Sequence, residues 1–133
     1  MVYGEQRGAA VSDFDGDGRV DLAVTQVGNE TRLYRNIGAQ PGVRIRFSGS
    51  SGNPHGVGAA LRWVRGQKMG PVREVHAGSG YWSQDSAVQV MAAAEPATQL
   101  WVRGPGGKVV TAQLPPGARE VIVDERGSVK PAR

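Results

Sequence analysis

Short runs of alternating apolar and polar residues, separated by glycine-rich turns, recur about every ten residues along most of the chain. In Val43-Arg44-Ile45-Arg46-Phe47, for example, every second side chain would lie on one face of a strand. Comparable runs cover residues 59–64, 72–77, 88–90, 100–102, 110–114 and 121–123. The chain of 133 residues also holds 20 Gly and 8 Pro, which disfavour long helices. The sequence therefore predicts an all-β fold, with a small β-sandwich or barrel-like domain as its main body.

Two local features depart from this pattern. Met91 to Glu95 contains three consecutive alanines and ends before Pro96, which predicts at most a turn or two of helix. The composition also changes near residues 39–42, where an acidic segment gives way to a region studded with arginine. We therefore predict two domains, residues 1–40 and residues 41–133.

The composition excludes several kinds of site. The chain has no cysteine, which rules out disulfides, thiolate metal sites and a cysteine nucleophile. With two histidines, it has no His-rich metal site. No apolar run approaches the ~18 residues of a membrane span, and residues 1–8 are polar and unlike a signal peptide. We expect no membrane span and no signal peptide in this chain.

The segment 13–21 reads D-x-D-x-D-G-x-x-D and places four carboxylates within nine residues. Without a cation these carboxylates would repel one another, whereas Ca²⁺ takes six to eight oxygen ligands from loops of this kind. The predicted ligands are Asp13, Asp15, Asp17, the carbonyl of Arg19, and Asp21, directly or through water. The Arg19 side chain would then point outward, and Gly18 would supply the sharp turn.

The flanks of this loop distinguish it from an EF-hand. An EF-hand loop ends with a bidentate Glu at position twelve, where this chain has Val24. The flanking residues 9–11 and 22–24 have the pattern of strands, which predicts a calcium-binding β-hairpin. The alternative is a solvated turn whose aspartates cap backbone amides. Mg²⁺ is disfavoured because it retains its waters and prefers few carboxylates.

Two parts of the chain resemble known families. Residues 8–24, around the acidic loop, resemble an FG-GAP/VCBS repeat, and Leu33 to Gly38 is similar to the strand that ends such a repeat. Residues 43–125 resemble the ASPIC/UnbV domain through Gly56-Val57-Gly58-Ala59, Arg73-Glu74-Val75 and Gly78-Ser79-Gly80-Tyr81-Trp82-Ser83-Gln84. The resemblance implies a calcium loop from a β-propeller blade, followed by a C-terminal accessory domain of a larger exported protein.

The segment around Tyr81 and Trp82 is a candidate recognition loop. It places two aromatic side chains, Ser83 and Gln84 next to one another, and aromatic residues supply contact area while polar ones supply direction. We predict Tyr81, Trp82 and Gln84 as ligand- or partner-binding residues. The alternative is a structural turn in which Tyr81 or Trp82 fills the core.

The formal net charge is +4, and arginine carries most of the basic side. If Arg44, Arg46, Arg62, Arg65 and Arg73 lined one sheet face, that face could bind an acidic polysaccharide. Trp63 would lie on the face of the strand opposite Arg62, so aromatic and basic side chains do not share one face. RNA-binding modules place the two together, and we therefore expect no nucleic-acid partner. The expected partners are therefore a protein or an acidic polysaccharide, with self-association through exposed strand edges as a further expectation.

No catalytic motif emerges from the sequence. Ser79, His76 and Asp85 lack a nucleophile elbow, and the glycine-rich turn 104–108 lacks the P-loop spacing. We therefore expect a non-catalytic, calcium-stabilised binding or adhesion module in an extracytoplasmic setting. The alternative function is an accessory small-ligand-binding protein of secondary-metabolite (enediyne-type) biosynthesis. A cavity lined by Trp63, Trp82 or Trp101 would favour that alternative.

Overall fold

The computed structural model describes residues 5–92 and 95–132, and this part of the chain is all-β, as predicted. It contains no helix, and so none long and apolar enough to cross a membrane. The strands are β1 Glu5–Ser12, β2 Asp21–Val27, β3 Arg32–Tyr34, β4 Val43–Ser48, β5 Ala60–Arg65, β6 Lys68–Met69, β7 Arg73–Glu74, β8 Gln89–Met91, β9 Gln99–Arg103, β10 Val109–Gln113, β11 Glu120–Asp124 and β12 Val129–Pro131.

The chain divides into two compact units. Unit 1 comprises the chain up to Pro41 together with Ala77–Ser86, and unit 2 comprises Gly42–His76 and the chain from Ala87. The predicted boundary at residues 40–41 lies beside the division at Pro41. The segment 77–86, however, lies in unit 1, whereas the sequence placed it in the second domain.

Unit 1 is built on a three-stranded antiparallel sheet in the order β1-β2-β3. The β1–β2 hairpin pairs Val11 with Leu22 and Ser12 with Asp21, and a bulge interrupts β1 between Gln6 and Gly8. Four described residues of this unit are buried: Asp13, Gly18, Asp21 and Val24. Unit 1 therefore buries parts of its acidic loop rather than a sizeable apolar core.

Unit 2 is a sandwich of two sheets. One sheet has the order β12-β11-β4-β8, and within it β4 and β11 run parallel. The other has the order β10-β9-β5-β6, with β7 also pairing with β5. Alternate side chains from both sheets form the core, as the period-two pattern predicts. They include Ile45, Phe47, Leu61, Trp63, Leu100, Val102, Val121 and Val123.

Pairing with β4 decides which residues of β8 face the core. Val88 and Val90 alternate with Gln89 in the sequence, but Ile45 pairs with Gln89, so Gln89 and Met91 share the core face. Met91 is 5% exposed and belongs to the core. Met91 therefore ends a strand, whereas the sequence predicted that it begins a short helical stretch. Ala93 and Ala94 of that stretch lie outside the described residues.

The five arginines considered as one basic face do not share a sheet, because they are divided among different strands. Arg44 and Arg46 lie on β4 in the four-stranded sheet, whereas Arg62 and Arg65 lie on β5 and Arg73 on β7 in the other sheet. Alternation within one strand is a local property, but the sheet that a strand joins is decided by long-range pairing.

Candidate metal centre

The acidic loop connects β1 to β2 in unit 1. Ser12 and Asp21 are paired at the mouth of the hairpin, so Asp13 and Asp21 enter the loop from opposite strands. Gly16 and Gly18 have φ of 75° and 84°, a left-handed conformation that residues with a Cβ adopt at a cost. These two glycines let the chain curl back on itself, so carboxylates from both ends of the loop meet.

The structure brings three of the predicted carboxylates together. Asp13, Asp15 and Asp21 each offer one oxygen atom, and the three atoms lie within 4.8 Å of one another. Asp13 and Asp21 are 7% and 2% exposed. Carboxylates this close repel one another, and a cation between them removes that repulsion. This cluster could therefore hold a metal ion, and its all-oxygen donor set is the kind that hard cations take.

Backbone amides hold the two buried carboxylates in place. Asp13 accepts hydrogen bonds from the N–H of Asp17 at 3.0 Å and of Gly18 at 2.9 Å. Asp21 accepts from the N–H of Phe14 at 3.2 Å and of Asn36 at 2.8 Å. An ionised carboxylate has about four acceptor positions, so these bonds fix its orientation and leave capacity for a metal.

Asp17 lies outside the converging cluster. Its carboxylate accepts from the backbone N–H of Arg19 at 2.8 Å and from the Arg19 guanidinium at 2.9 Å. Burial raises the pKa of Asp17, but the hydrogen bonds from Arg19 and the attraction of Arg19 and Arg35 together bring that pKa below its usual value. A metal-ligating role for Asp17 stays a prediction.

The Arg19 side chain does not point away from the loop as expected. Besides its bond to Asp17, it donates from Nε to the carbonyl of Ala39 at 2.7 Å. It therefore ties the loop to Ala39, close to Pro41, where the first segment of unit 1 ends. Its predicted carbonyl ligand stays a prediction.

Sequence reasoning missed two residues at this site, Arg35 and Asn36. The Nε of Arg35 lies 2.6 Å from Oδ2 of Asp15, and attraction to Asp15 is the main cause that raises the pKa of Arg35. The Asn36 side chain donates to the carbonyl of Val20 at 3.1 Å. Both residues follow β3, whose Tyr34 pairs with Leu22 next to Asp21, so only the β2–β3 register places them here.

The predicted recognition loop around Tyr81 and Trp82 lies within the segment 77–86, which belongs to unit 1 and contacts the outer edge of β1. Val11 donates its N–H to the Asp85 carboxylate at 2.8 Å, and its carbonyl accepts from Ser86 at 2.9 Å. The Gln84 side chain accepts from the N–H of Gly78 and donates to the carbonyl of Asp85. Gln84 thus stabilises the loop internally.

Tyr81 and Trp82 form the tip of that loop. They lie between Gly80 and Ser83, which form a β-bridge, and their rings are 5.8 Å apart between centroids. Tyr81 is 67% and Trp82 84% exposed. Among the described residues, Trp82 is the one non-glycine residue with positive φ, at 51°. Such strain persists only where surrounding structure holds it, here the hydrogen bonds at the base of the loop.

Comparison with protein-family models and with curated proteins finds no match to this chain. The resemblance of residues 8–38 to an FG-GAP/VCBS repeat, and of the following region to an ASPIC/UnbV domain, therefore stays a prediction. Arguments about function rest on the geometry of the residues themselves.

Proposed function

We propose that this chain is a non-catalytic binding module whose unit 1 is stabilised by Ca²⁺. The observation that carries this proposal is the convergence of Asp13, Asp15 and Asp21 within 4.8 Å, with two of the three carboxylates buried. A bound cation would neutralise their mutual repulsion and link the beginning, middle and end of the loop. Binding to the folded loop alone would then stabilise the fold through mass action.

The donor set favours Ca²⁺ over other cations. Three carboxylates, with backbone carbonyls and water to complete the shell, suit the six to eight oxygens of Ca²⁺, whereas Mg²⁺ prefers few carboxylates and keeps its waters. The chain has neither cysteine nor a histidine cluster to favour zinc. In this proposal Asp13, Asp15 and Asp21 are the main ligands of the ion. The Asp17–Arg19 pair shapes the loop, and the Arg19 carbonyl is one of the backbone oxygens that would complete the shell.

Unit 1 buries little apolar surface, so a bound ion would contribute to its stability. Val24 is the one apolar side chain buried among the described residues of this unit. Small units with little apolar core are commonly stabilised by disulfides or metals, and disulfides are impossible here. A cation bound at the β1–β2 hairpin would thus supply stability that the small apolar core of unit 1 does not provide.

The tip formed by Tyr81 and Trp82 is the proposed contact surface. Exposed aromatic residues on a constrained loop combine large contact area with little loss of conformational entropy on binding. A protein partner is favoured over an acidic polysaccharide, because the arginines expected to bind the polymer do not share a sheet face. We further propose, from the resemblance, an extracytoplasmic setting and a larger exported propeller protein as parent.

Calorimetric titration of the chelator-treated protein tests the cation. We expect about one Ca²⁺ per chain with a Kd on the order of 10⁻⁴–10⁻³ M, the range of extracellular modules, and much weaker Mg²⁺ binding. At tenfold excess over Kd, the gain of about 1.4 kcal/mol should raise Tm by about 4 °C. Failure of Ca²⁺ to bind, or equal binding of Mg²⁺, would contradict the proposal.

For the alternative function, a small-ligand-binding accessory protein, the favouring observation would be a cavity lined by Trp63, Trp82 or Trp101. Trp63 belongs to the core and Trp82 is exposed to solvent. One cavity of unit 2, formed by loops at the end of the sandwich, has none of Trp63, Trp82 and Trp101 in its lining, so it does not supply that observation.

A further inference from the structure

Unit 2 has a cavity of about 320 Å³ at one end of its sandwich. Three connections form its walls: residues 49–56 after β4, residues 104–108 between β9 and β10, and residues 124–127, which begin at the last residue of β11. β4 and β11 belong to one sheet, and β9 and β10 to the other. The cavity therefore lies where the two sheets end and their connecting loops surround an open space.

Hydrogen bonds hold each wall in shape. In the first wall, Asn53 bonds through its side chain to both the N–H and the carbonyl of Val57, at 2.9 Å each. In the second, Gly104 donates to the carbonyl of Lys108 at 2.8 Å. In the third, Gly127 donates to the carbonyl of Asp124 at 2.9 Å. A cavity with such walls is formed before any ligand arrives, which lowers the entropic cost of binding.

Two glycines at this end of the sandwich allow close backbone approaches. A Cβ on Gly56 would lie 2.7 Å from the ring of Phe47, and one on Gly127 would lie 2.7 Å from Cβ of Val110. Both residues also have positive φ, at 67° and 79°. The geometry of these walls therefore depends on glycine, and larger residues there would distort the cavity.

The interior of the cavity is mainly apolar. Phe47, Val102 and Val110 contribute side chains from both sheets, and Pro105 adds another apolar surface at the rim. A volume of this size corresponds to about ten water molecules, at the lower limit of typical small-molecule sites. A molecule with a single apolar ring would fill such a space.

Charged side chains from two walls lie at the rim. Lys108 belongs to one wall and Arg126 to another, and neither side chain forms a hydrogen bond or ion pair within the described part of the chain. Of the acidic side chains, Asp124 accepts two backbone hydrogen bonds, from the N–H of Arg126 and of Ser128 at 2.9 Å each. Glu125 is exposed in the same turn. Two cationic groups are thus available to a ligand anion.

We propose that this cavity binds a small molecule consisting of an apolar ring and a carboxylate. The ring would pack against Phe47, Val102 and Val110, and the carboxylate would lie between Lys108 and Arg126. Arginine is well suited to paired hydrogen bonds with a carboxylate. The site lies wholly in unit 2 and is independent of the cation proposed for unit 1.

Nitrogen-15 NMR titrations with phenylacetate, phenylacetamide and phenethylamine test this inference. The three probes share a ring and differ in charge. We expect phenylacetate to shift the amide signals of Gly104, Gly106 and Gly127 and to bind most tightly of the three. If no probe shifts these signals, the cavity is not a ligand site. If phenylacetamide or phenethylamine binds as tightly as phenylacetate, the carboxylate assignment is wrong.

Substitutions of the charged residues at the rim of the cavity test whether these residues contact the ligand or act only through the overall charge. Lys108→Gln combined with Arg126→Gln should weaken phenylacetate binding by about three- to fivefold, and Glu125→Gln should strengthen it. Lys68→Gln combined with Arg73→Gln is the matched control, because it removes the same charge from exposed positions elsewhere in unit 2. Equal weakening by both double variants would show a general charge effect and overturn the proposed contacts.

Discussion

The Nε atom of Arg35 lies 2.6 Å from Oδ2 of Asp15, so a side-chain cation already contacts one of the three carboxylates of the candidate metal centre. Arg35 also reaches Asp17, at 3.4 Å. Its side chain is 58% exposed, and an ion pair this open to water contributes little to stability. Arg35 is therefore placed to compete with a divalent cation for Asp15.

Replacing Arg35 with glutamine should tighten Ca²⁺ binding. Removal of the competing guanidinium frees the Asp15 carboxylate, and we expect the calorimetric Kd to fall by about two- to fivefold. Arg32→Gln is the matched control, because Arg32 is an exposed arginine of β3 with the same charge. An unchanged or raised Kd in Arg35→Gln, or the same fall in Arg32→Gln, would show that Arg35 does not compete with the ion.

Neutralising Asp15 should weaken Ca²⁺ binding, whereas neutralising Asp17 should lower Tm without a specific effect on Ca²⁺ binding. Asp15→Asn removes one of the three converging carboxylates and should weaken Ca²⁺ binding by about tenfold or more. Asp17→Asn keeps the cluster and loses the charged partner of Arg19, so it should lower Tm similarly in calcium and in chelator. Thermal melts of both variants under the two conditions test this. A Ca²⁺-dependent loss for Asp17→Asn would instead assign Asp17 to the metal.

Glu120 should be the most sensitive charged residue of unit 2. Its carboxylate is 5% exposed and pairs with Arg44 at 3.0 Å and Arg46 at 2.8 Å. Glu120→Ala leaves Arg44, itself 12% exposed, without this carboxylate and should lower the free energy of unfolding by about 3 kcal/mol. Arg46→Ala, at a half-exposed position, should cost less than about 1 kcal/mol. Urea unfolding followed by tryptophan fluorescence measures both, and equal costs would refute this ranking.

Gly56 and Gly117 allow backbone strain to be separated from steric clash. Their φ values are 67° and 70°, but a Cβ on Gly56 would meet the buried Phe47 ring, whereas one on Gly117 has no atom within 4 Å. Gly117→Ala should cost about 1 kcal/mol from strain alone, and Gly56→Ala about 3 kcal/mol. Denaturant midpoints of the two variants provide the comparison. A cost for Gly117→Ala as large as for Gly56→Ala would mean that the clash with Phe47 is relieved by small movements.

The alternating pattern of the sequence predicts the longer strands of unit 2 and much of its core, but not the short strands β6 and β12. Ile45 and Phe47, and likewise Leu61 and Trp63, face inward as their spacing requires, because a strand exposes alternate residues on opposite faces whatever its partners are. Short weak runs were less informative. Val88 and Val90 alternate as well as the others do, yet pairing with β4 turns Gln89 and Met91 toward the core.

In the acidic loop, too, the local sequence predicts some contacts and strand pairing decides others. The spacing of Asp13, Asp15 and Asp21 around two glycines predicts a cluster, because neighbouring residues on a tight turn must lie close together. The contact of Arg35 with Asp15 depends on the β2–β3 register, which no local pattern contains.

The sequence by itself determined the all-β class, the turns and the acidic loop, since each depends on residues near one another in the chain. The tertiary structure alone decided which distant strands pair. Parallel pairing of β4 and β11 brings Glu120 to Arg44 across 76 residues, and the segment 77–86 joins unit 1 along β1. Such contacts depend on the free energy of packing the whole chain, in which many alternative pairings compete, so neighbouring residues cannot specify them.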